Sequence, residues 1–188
     1  MHSHTISVLM ENKFGVLARI AGLFSGRGFN IDSLTVSPTQ DESLSRMTIV
    51  TSGEDSVLDQ IDKQLNKLVE VVKVTDLTGS GFVSRELMLV KVHTEDAAIR
   101  NEVIQITNIF KALVVNVENE SLIIQVTGPT EKLDSFVGLT ERFGIIELAR
   151  TGKVALLRSS QATEMLDTND LTSPDGENEA DTDDLYGG

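Results

Sequence analysis

Apolar residues recur along this chain at two spacings, and the switches between them mark out its elements. Ile6, Val8 and Met10 alternate with Thr5, Ser7 and Leu9. That period of two, rich in β-branched residues, predicts a strand over 4–11. Leu17, Ile20, Ala21 and Phe24 then recur at helical spacing, which predicts a helix over 16–26 stopped by Gly26-Arg27-Gly28. Phe29 to Val36 reads as a strand, Ser37 to Glu42 as a hairpin loop, and Leu44 to Thr51 as the return strand broken at Gly53. Val57, Leu58, Ile61, Leu65 and Leu68 mark one face of a second helix, and Val69 to Leu77 closes the unit as a valine-rich strand. The order β-α-β-β-α-β is that of the ferredoxin-like split βαβ arrangement.

The same order then repeats. Thr78-Gly79-Ser80-Gly81 has the composition of a linker. Glu86 to Val92 predicts a strand, and Ile99, Val103, Ile106 and Phe110 space out a helix. Ala112 to Val117 and Ser121 to Thr127 form a hairpin across Glu118-Asn119-Glu120. Gly128-Pro129-Thr130 opens a helix carrying Leu133, Phe136 and Val137, and Ile145 to Leu148 with Val154 to Leu157 is the closing β segment, interrupted by Thr151-Gly152-Lys153. The expected fold class is α+β: two ferredoxin-like βαββαβ domains over 1–77 and 85–158, a linker over 78–84, and a disordered acidic tail over 159–188.

Charge sharpens this division. The formal charge is −13, and residues 159–188 hold nine acidic residues with no Lys or Arg. The body keeps 20 acidic and 16 basic residues, a net of −4. Neither part suits a polyanion, because nucleic-acid binding needs Lys and Arg against phosphates. With one Tyr and no Trp, the sheet also lacks the stacking aromatics of an RNA-recognition motif. No apolar run approaches the ~18 residues of a membrane span, so a soluble, cytoplasmic protein is expected. With no cysteine, thiol chemistry and thiolate metal sites are excluded. His2 and His4 could share a strand face but lack a third ligand, and no nucleophile, carboxylate pair or phosphate-binding loop stands out.

One stretch has chemical potential. Glu11-Asn12-Lys13-Phe14-Gly15-Val16-Leu17 joins the first strand to the first helix. Asn12 is a turn former, and Gly15 allows a sharp turn and close approach to the backbone. The helix start offers unpaired N–H groups and a positive dipole end, which suit a carboxylate or phosphate. An ordinary turn with a structural glycine is the plainer reading of the same residues.

This stretch also carries a resemblance. Thr5 to Asn12 followed by Gly15-Val16-Leu17-Ala18-Arg19-Ile20 resembles the opening of an ACT domain. Gly22-Leu23-Phe24-Ser25, Arg27 to Val36, Ser45 to Ile49 and Gln60 to Leu68 extend the likeness, as do Arg85 to Val92, Val126-Thr127-Gly128 and Ala149-Arg150-Thr151-Gly152. Over 4–158 the chain is similar to the small, regulatory subunits of acetolactate synthase; the acidic tail lies outside the likeness. The resemblance implies an N-terminal ACT domain and a chain with no catalysis and no cofactor of its own. It implies a homodimer and a partner, a large catalytic subunit carrying thiamine diphosphate, magnesium and FAD. It further implies feedback inhibition by a branched-chain amino acid, usually valine, held between two ACT domains. Carried over, Asn12, Phe14, Gly15, Val16 and Leu17 come from one chain, and Asn30 and Ile31 from the facing chain. A free-standing amino-acid sensor for another biosynthetic enzyme is the alternative.

Overall fold

The structure, a computed structural model, describes residues 2–158; the expected tail over 159–188 lies outside the described residues. Two sheet-and-helix units follow one another. In the first, β1 (His2–Glu11), β2 (Ser33–Pro38), β3 (Leu44–Gly53) and β4 (Val71–Asp76) form a sheet in the order β2-β3-β1-β4, with neighbours antiparallel. Helices α1 (Val16–Ser25) and α2 (Asp55–Leu65) lie on one face. In the second, β5 (Phe82–His93), β6 (Leu113–Val117), β7 (Ser121–Gly128) and β8 (Ile145–Arg150) repeat that order as β6-β7-β5-β8. Helices α3 (Ala97–Ile109) and α4 (Thr130–Thr140) cover it. The ferredoxin-like α+β reading therefore holds for both halves.

Each core follows from the period of two. Ile6, Val8 and Met10 on β1 meet Met47 and Ile49 on β3, and Ile20, Phe24, Ile61 and Leu65 close over them. Met88, Val90 and Val92 do the same with Leu122, Ile124 and Val126 under Val103, Leu133 and Phe136. Phe24 and Phe136 are wholly buried, each with an edge-on aromatic neighbour, Phe29 and Phe110. Such side chains each contribute roughly 1.5–3 kcal/mol through burial.

Several boundaries differ from the sequence reading. β2 starts at Ser33 rather than Phe29, because the Phe29 amide bonds back to Phe24 O at the end of α1 and holds Phe29 against the helix. Pro38 ends β2 instead of breaking the chain, which an edge strand tolerates because one side of its ladder needs no N–H. Gly53 does not break β3; it is the strand's last residue, in register with His2. β5 begins at Phe82, inside the stretch expected as linker, because Phe82–Arg85 pair with a short strand β9 (Val154–Leu157).

That pairing sets how the two units meet. The β5–β9 ribbon leaves the first unit at Leu77, beside β4, and is tied at its other end to β2. There Thr35 Oγ1 donates to Thr151 O (3.0 Å) and the Lys153 amide donates to Ser33 Oγ (3.1 Å). Four residues of strand span ~13 Å, and the three strand gaps from β4 to β2 span about 14 Å. The ribbon therefore crosses the face of the first sheet that carries no helix. It crosses along one row, because Leu77 bonds to Thr5, Thr5 is in register with Val50, and Val50 with Ser33. Thr5, Val50, Leu77 and the ribbon's own Ala155 are all buried, yet belong to neither helix-covered core.

A candidate effector site at the first strand–helix turn

The turn after β1 is held by its own backbone. The Asn12 amide donates to Ser43 O (2.7 Å), and Asn12 Nδ2 donates to Glu42 O (2.9 Å), which ties the turn to the β2–β3 hairpin. Gly15 sits at φ 85°, ψ −12° as the cap of α1. This left-handed conformation costs a residue with a Cβ and costs glycine nothing. There the chain turns into the helix, so the geometry favours glycine.

The helix start is chemically unfinished. No side chain caps α1, and its first turn holds no acidic residue. By contrast Asp96 caps α3 by accepting the Ile99 amide (2.8 Å). The Leu17 and Ala18 amides bond to no group among the described residues. Beside them opens a cleft of about 200 Å³ between the turn, β1 and the ends of β2 and β3. An uncapped amide pair at a positive dipole end is a carboxylate-sized anion site.

The structure separates the seven residues singled out from the sequence. Asn12, Val16 and Leu17 line the cleft, and Gly15 caps α1 between them in the chain. Val16 is buried in the core beneath it, Leu17 is 41% exposed at its mouth, and Phe14 is fully exposed and turned away from its own chain. Asn30 and Ile31 lie elsewhere. They precede Ser33, in register with Val50 near the start of β1, whereas the turn follows its end at Glu11. A strand's length, ~20 Å, separates the two sets within one chain. Asn30 donates to Asp32 Oδ1 (2.5 Å), and Ile31 packs against the first core.

The cleft also has walls that the sequence reading omitted: Met10, Lys13, Val36, Pro38 and Ser45. Their signal is the sheet register, since Ser45 pairs with both Met10 and Pro38. Lys13 adds a cation at the mouth. Its pair with Glu11 (2.9 Å) is solvent-exposed and worth little, so the ammonium can turn to a ligand. The neighbouring hairpin is ordered by Asp41, whose carboxylate accepts the Ser43 amide (2.9 Å) and hydroxyl (2.7 Å). These bonds hold the Asp41 carboxyl below its usual pKa. Among the described residues no cluster of His, Asp and Glu could hold a metal, and no helix is long and apolar enough to cross a membrane.

Comparison with known proteins gives the site its context. Residues 6–73 match the family described as the AHAS small subunit-like ACT domain, and residues 85–159 match the small subunit of acetolactate synthase. A probable acetolactate synthase small subunit from Archaeoglobus fulgidus is 54% identical over 158 residues, covering 84% of this chain and 98% of that one. The acetolactate synthase small subunit of Mycolicibacterium smegmatis is 51% identical over 156 residues, 83% of this chain and 91% of its own. The crystal structure of the small subunit from Thermotoga maritima superposes with a TM-score of 0.78 at 40% identity, over 85% of this chain and 99% of that one. The turn, both sheets and the ribbon that joins them thus lie in a chain that belongs to the acetolactate synthase small subunits, regulatory subunits of branched-chain amino-acid biosynthesis.

Proposed function

We propose that this chain binds valine at the β1–α1 turn, between two N-terminal ACT domains, and through it sets the activity of a large catalytic subunit in the cytoplasm. That subunit carries thiamine diphosphate, magnesium and FAD and makes acetolactate. The observation that carries the reading is the uncapped start of α1 at Gly15, opening into a cleft walled by Leu17 and Val36. The effector's carboxylate takes the Leu17 and Ala18 amides, and its ammonium takes an amide oxygen of Asn12. Its aliphatic side chain lies against Leu17.

Half of the site is missing from one chain. β2 is an edge strand, and an edge invites pairing with another strand. Antiparallel pairing of β2 with its copy brings the start of one strand beside the end of the other. Asn30 and Ile31 of one chain then approach Asn12, Phe14 and Leu17 of its neighbour, and the exposed Phe14 ring gains a surface. The homodimer and the effector site are one prediction in this reading.

The β2–β3 hairpin, Thr39 to Ser43, is the contact offered to the catalytic subunit. It is polar, exposed and fixed by Asp41, and it touches the effector turn through Asn12. Reconstitution with the large subunit tests the whole. Adding the chain should raise acetolactate output and make it valine-sensitive; unchanged rate and unchanged sensitivity would remove the reading. Shortening Thr39–Ser43 should abolish activation while calorimetry still detects valine binding. Full activation by the shortened chain would exclude the hairpin as the contact.

A further inference from the structure

The ribbon crosses only one end of the helix-free face of the first sheet. Leu9 lies on that face four residues along β1 from Thr5, ~13 Å from the row that the ribbon crosses. Leu9 is nonetheless 2% exposed, and it belongs to neither helix-covered core. Its partners in register are Arg46 on β3 and Lys73 on β4, so one aliphatic residue stands between two cations. Arg46 reaches along the face to Ser7 Oγ (3.2 Å), and Lys73 is exposed. Thr75, in register with Ser7, has a buried hydroxyl with no hydrogen-bond partner among the described residues. A buried leucine and an unmet buried hydroxyl mark a surface that something covers, because each is costly to leave beside nothing.

We infer that the acidic segment following Arg158 lies across this row of its own chain as a strap, with Met165 and Leu166 over Leu9 and with Glu164 and Asp167 at the two cations. Its point of departure fits. The Arg158 amide donates to Gly81 O (2.9 Å), shortly after Leu77 at the β4 margin of the same face. Leu77 to Lys73 is four residues of strand, ~13 Å, and the six residues from Arg158 to Glu164 reach up to ~20 Å when extended. The order of side chains fits as well. Met165 and Leu166 are the first large apolar residues after Arg158, and Glu164 and Asp167 flank them. Three extended residues set the two carboxylates ~10 Å apart, and Lys73 and Arg46, two strand gaps apart, stand about 10 Å from each other. Charge selects this occupant, because residues 159–188 hold nine acids and no Lys or Arg. Tethering does the same, since a short flexible linker gives an effective concentration of roughly millimolar. Docked there, the strap screens Arg46 and Lys73 from other anions. This inference does not rest on effector binding, because it uses neither the Leu17 and Ala18 amides nor the cleft beside them.

Zero-length coupling of the full-length chain tests it. A water-soluble carbodiimide joins a carboxyl to an amine in direct contact; the amide forms, and the water lost converts the reagent to its urea. Lys73 should couple to Glu164 or Asp167 at single chain mass under denaturing conditions, with the linked peptides identified by mass spectrometry. Lys63, exposed on α2 in the helix layer, should couple to the segment at least tenfold less. Met165→Ser combined with Leu166→Ser keeps every charge and the same tether, and should lower the Lys73 product at least fivefold. Equal yields at Lys63 and Lys73 would overturn the strap, and so would a Lys73 yield untouched by the two serines. A Lys73 product found only at twice the chain mass would overturn it too, by giving the segment to a second copy.

Discussion

Gly15→Asp is expected to weaken valine binding on the order of a thousandfold while the chain stays folded. The carboxylate would stand at the cap of α1, where the effector's own carboxylate is proposed to sit. Two like charges about 4 Å apart near a surface repel by roughly 4 kcal/mol at an effective dielectric near 20. That corresponds to about three decades in affinity. The new side chain would also compete for the Leu17 and Ala18 amides. The fold has room for it: a Cβ at Gly15 meets nothing within 4 Å. The positive φ costs something, but Asp and Asn tolerate the left-handed region better than other residues, and an acid at a helix N-terminus offsets part of the cost. Gly15→Asn isolates the charge, since it carries the same shape and backbone preference without it. It should bind valine within about tenfold of the parent, by the same conversion of free energy to affinity. Calorimetry on the free chain and inhibition assays on the reconstituted enzyme decide. Parent-like affinity in a folded Gly15→Asp chain would mean that Gly15 serves the turn alone.

The conformation of Gly15 is the part of this site closest to the surface of the sequence. An alternating strand, a turn former and an apolar helix face leave one place where the chain can reverse, and glycine stands there. The periods of two and 3.6 likewise mark both cores and the order of elements along the chain, because Ile6-Val8-Met10 and Met88-Val90-Val92 each point at one helix layer. Local chemistry misled at Phe29, where strand-forming residues follow the helix but the Phe24–Phe29 contact keeps them in a loop. Val36 and Ser45 reach the cleft beside the turn only once three strands are in register, which no single window contains. The seating of the second unit was illegible for the same reason. Thr151-Gly152-Lys153 reads as a break between two strand segments, and its partners Ser33 and Thr35 lie more than a hundred residues away.

At that break, Gly152→Val should undo the contact between the two units. A Cβ on Gly152 would lie 2.4 Å from Ser33 Oγ and 3.0 Å from Thr35 Oγ1, with Leu34 O at 3.6 Å. Neither hydroxyl can swing aside without giving up its bond, Ser33 to the Lys153 amide or Thr35 to Thr151 O. Each such bond is worth about 1 kcal/mol. Gly152 also sits at φ +84°, where a β-branched residue adds roughly 1–3 kcal/mol of strain. The total, about 3–5 kcal/mol, should lower the melting temperature by roughly 6–20 °C at ~2–4 °C per kcal/mol for a chain of this size. Gly79→Val separates the two causes. Gly79 has φ +77° with nothing within 4 Å, so it bears the backbone strain without the clash. Gly152→Val should melt several degrees below it, and hydrogen exchange should quicken along Ser33–Thr35 and at Val154–Leu157 while the Phe24 and Phe136 cores stay protected. Ser33→Ala combined with Gly152→Val removes the closest atom and should recover part of the loss. Were Gly152→Val and Gly79→Val to melt together, the turn would contribute nothing to docking, and the two units would be joined by the ribbon alone.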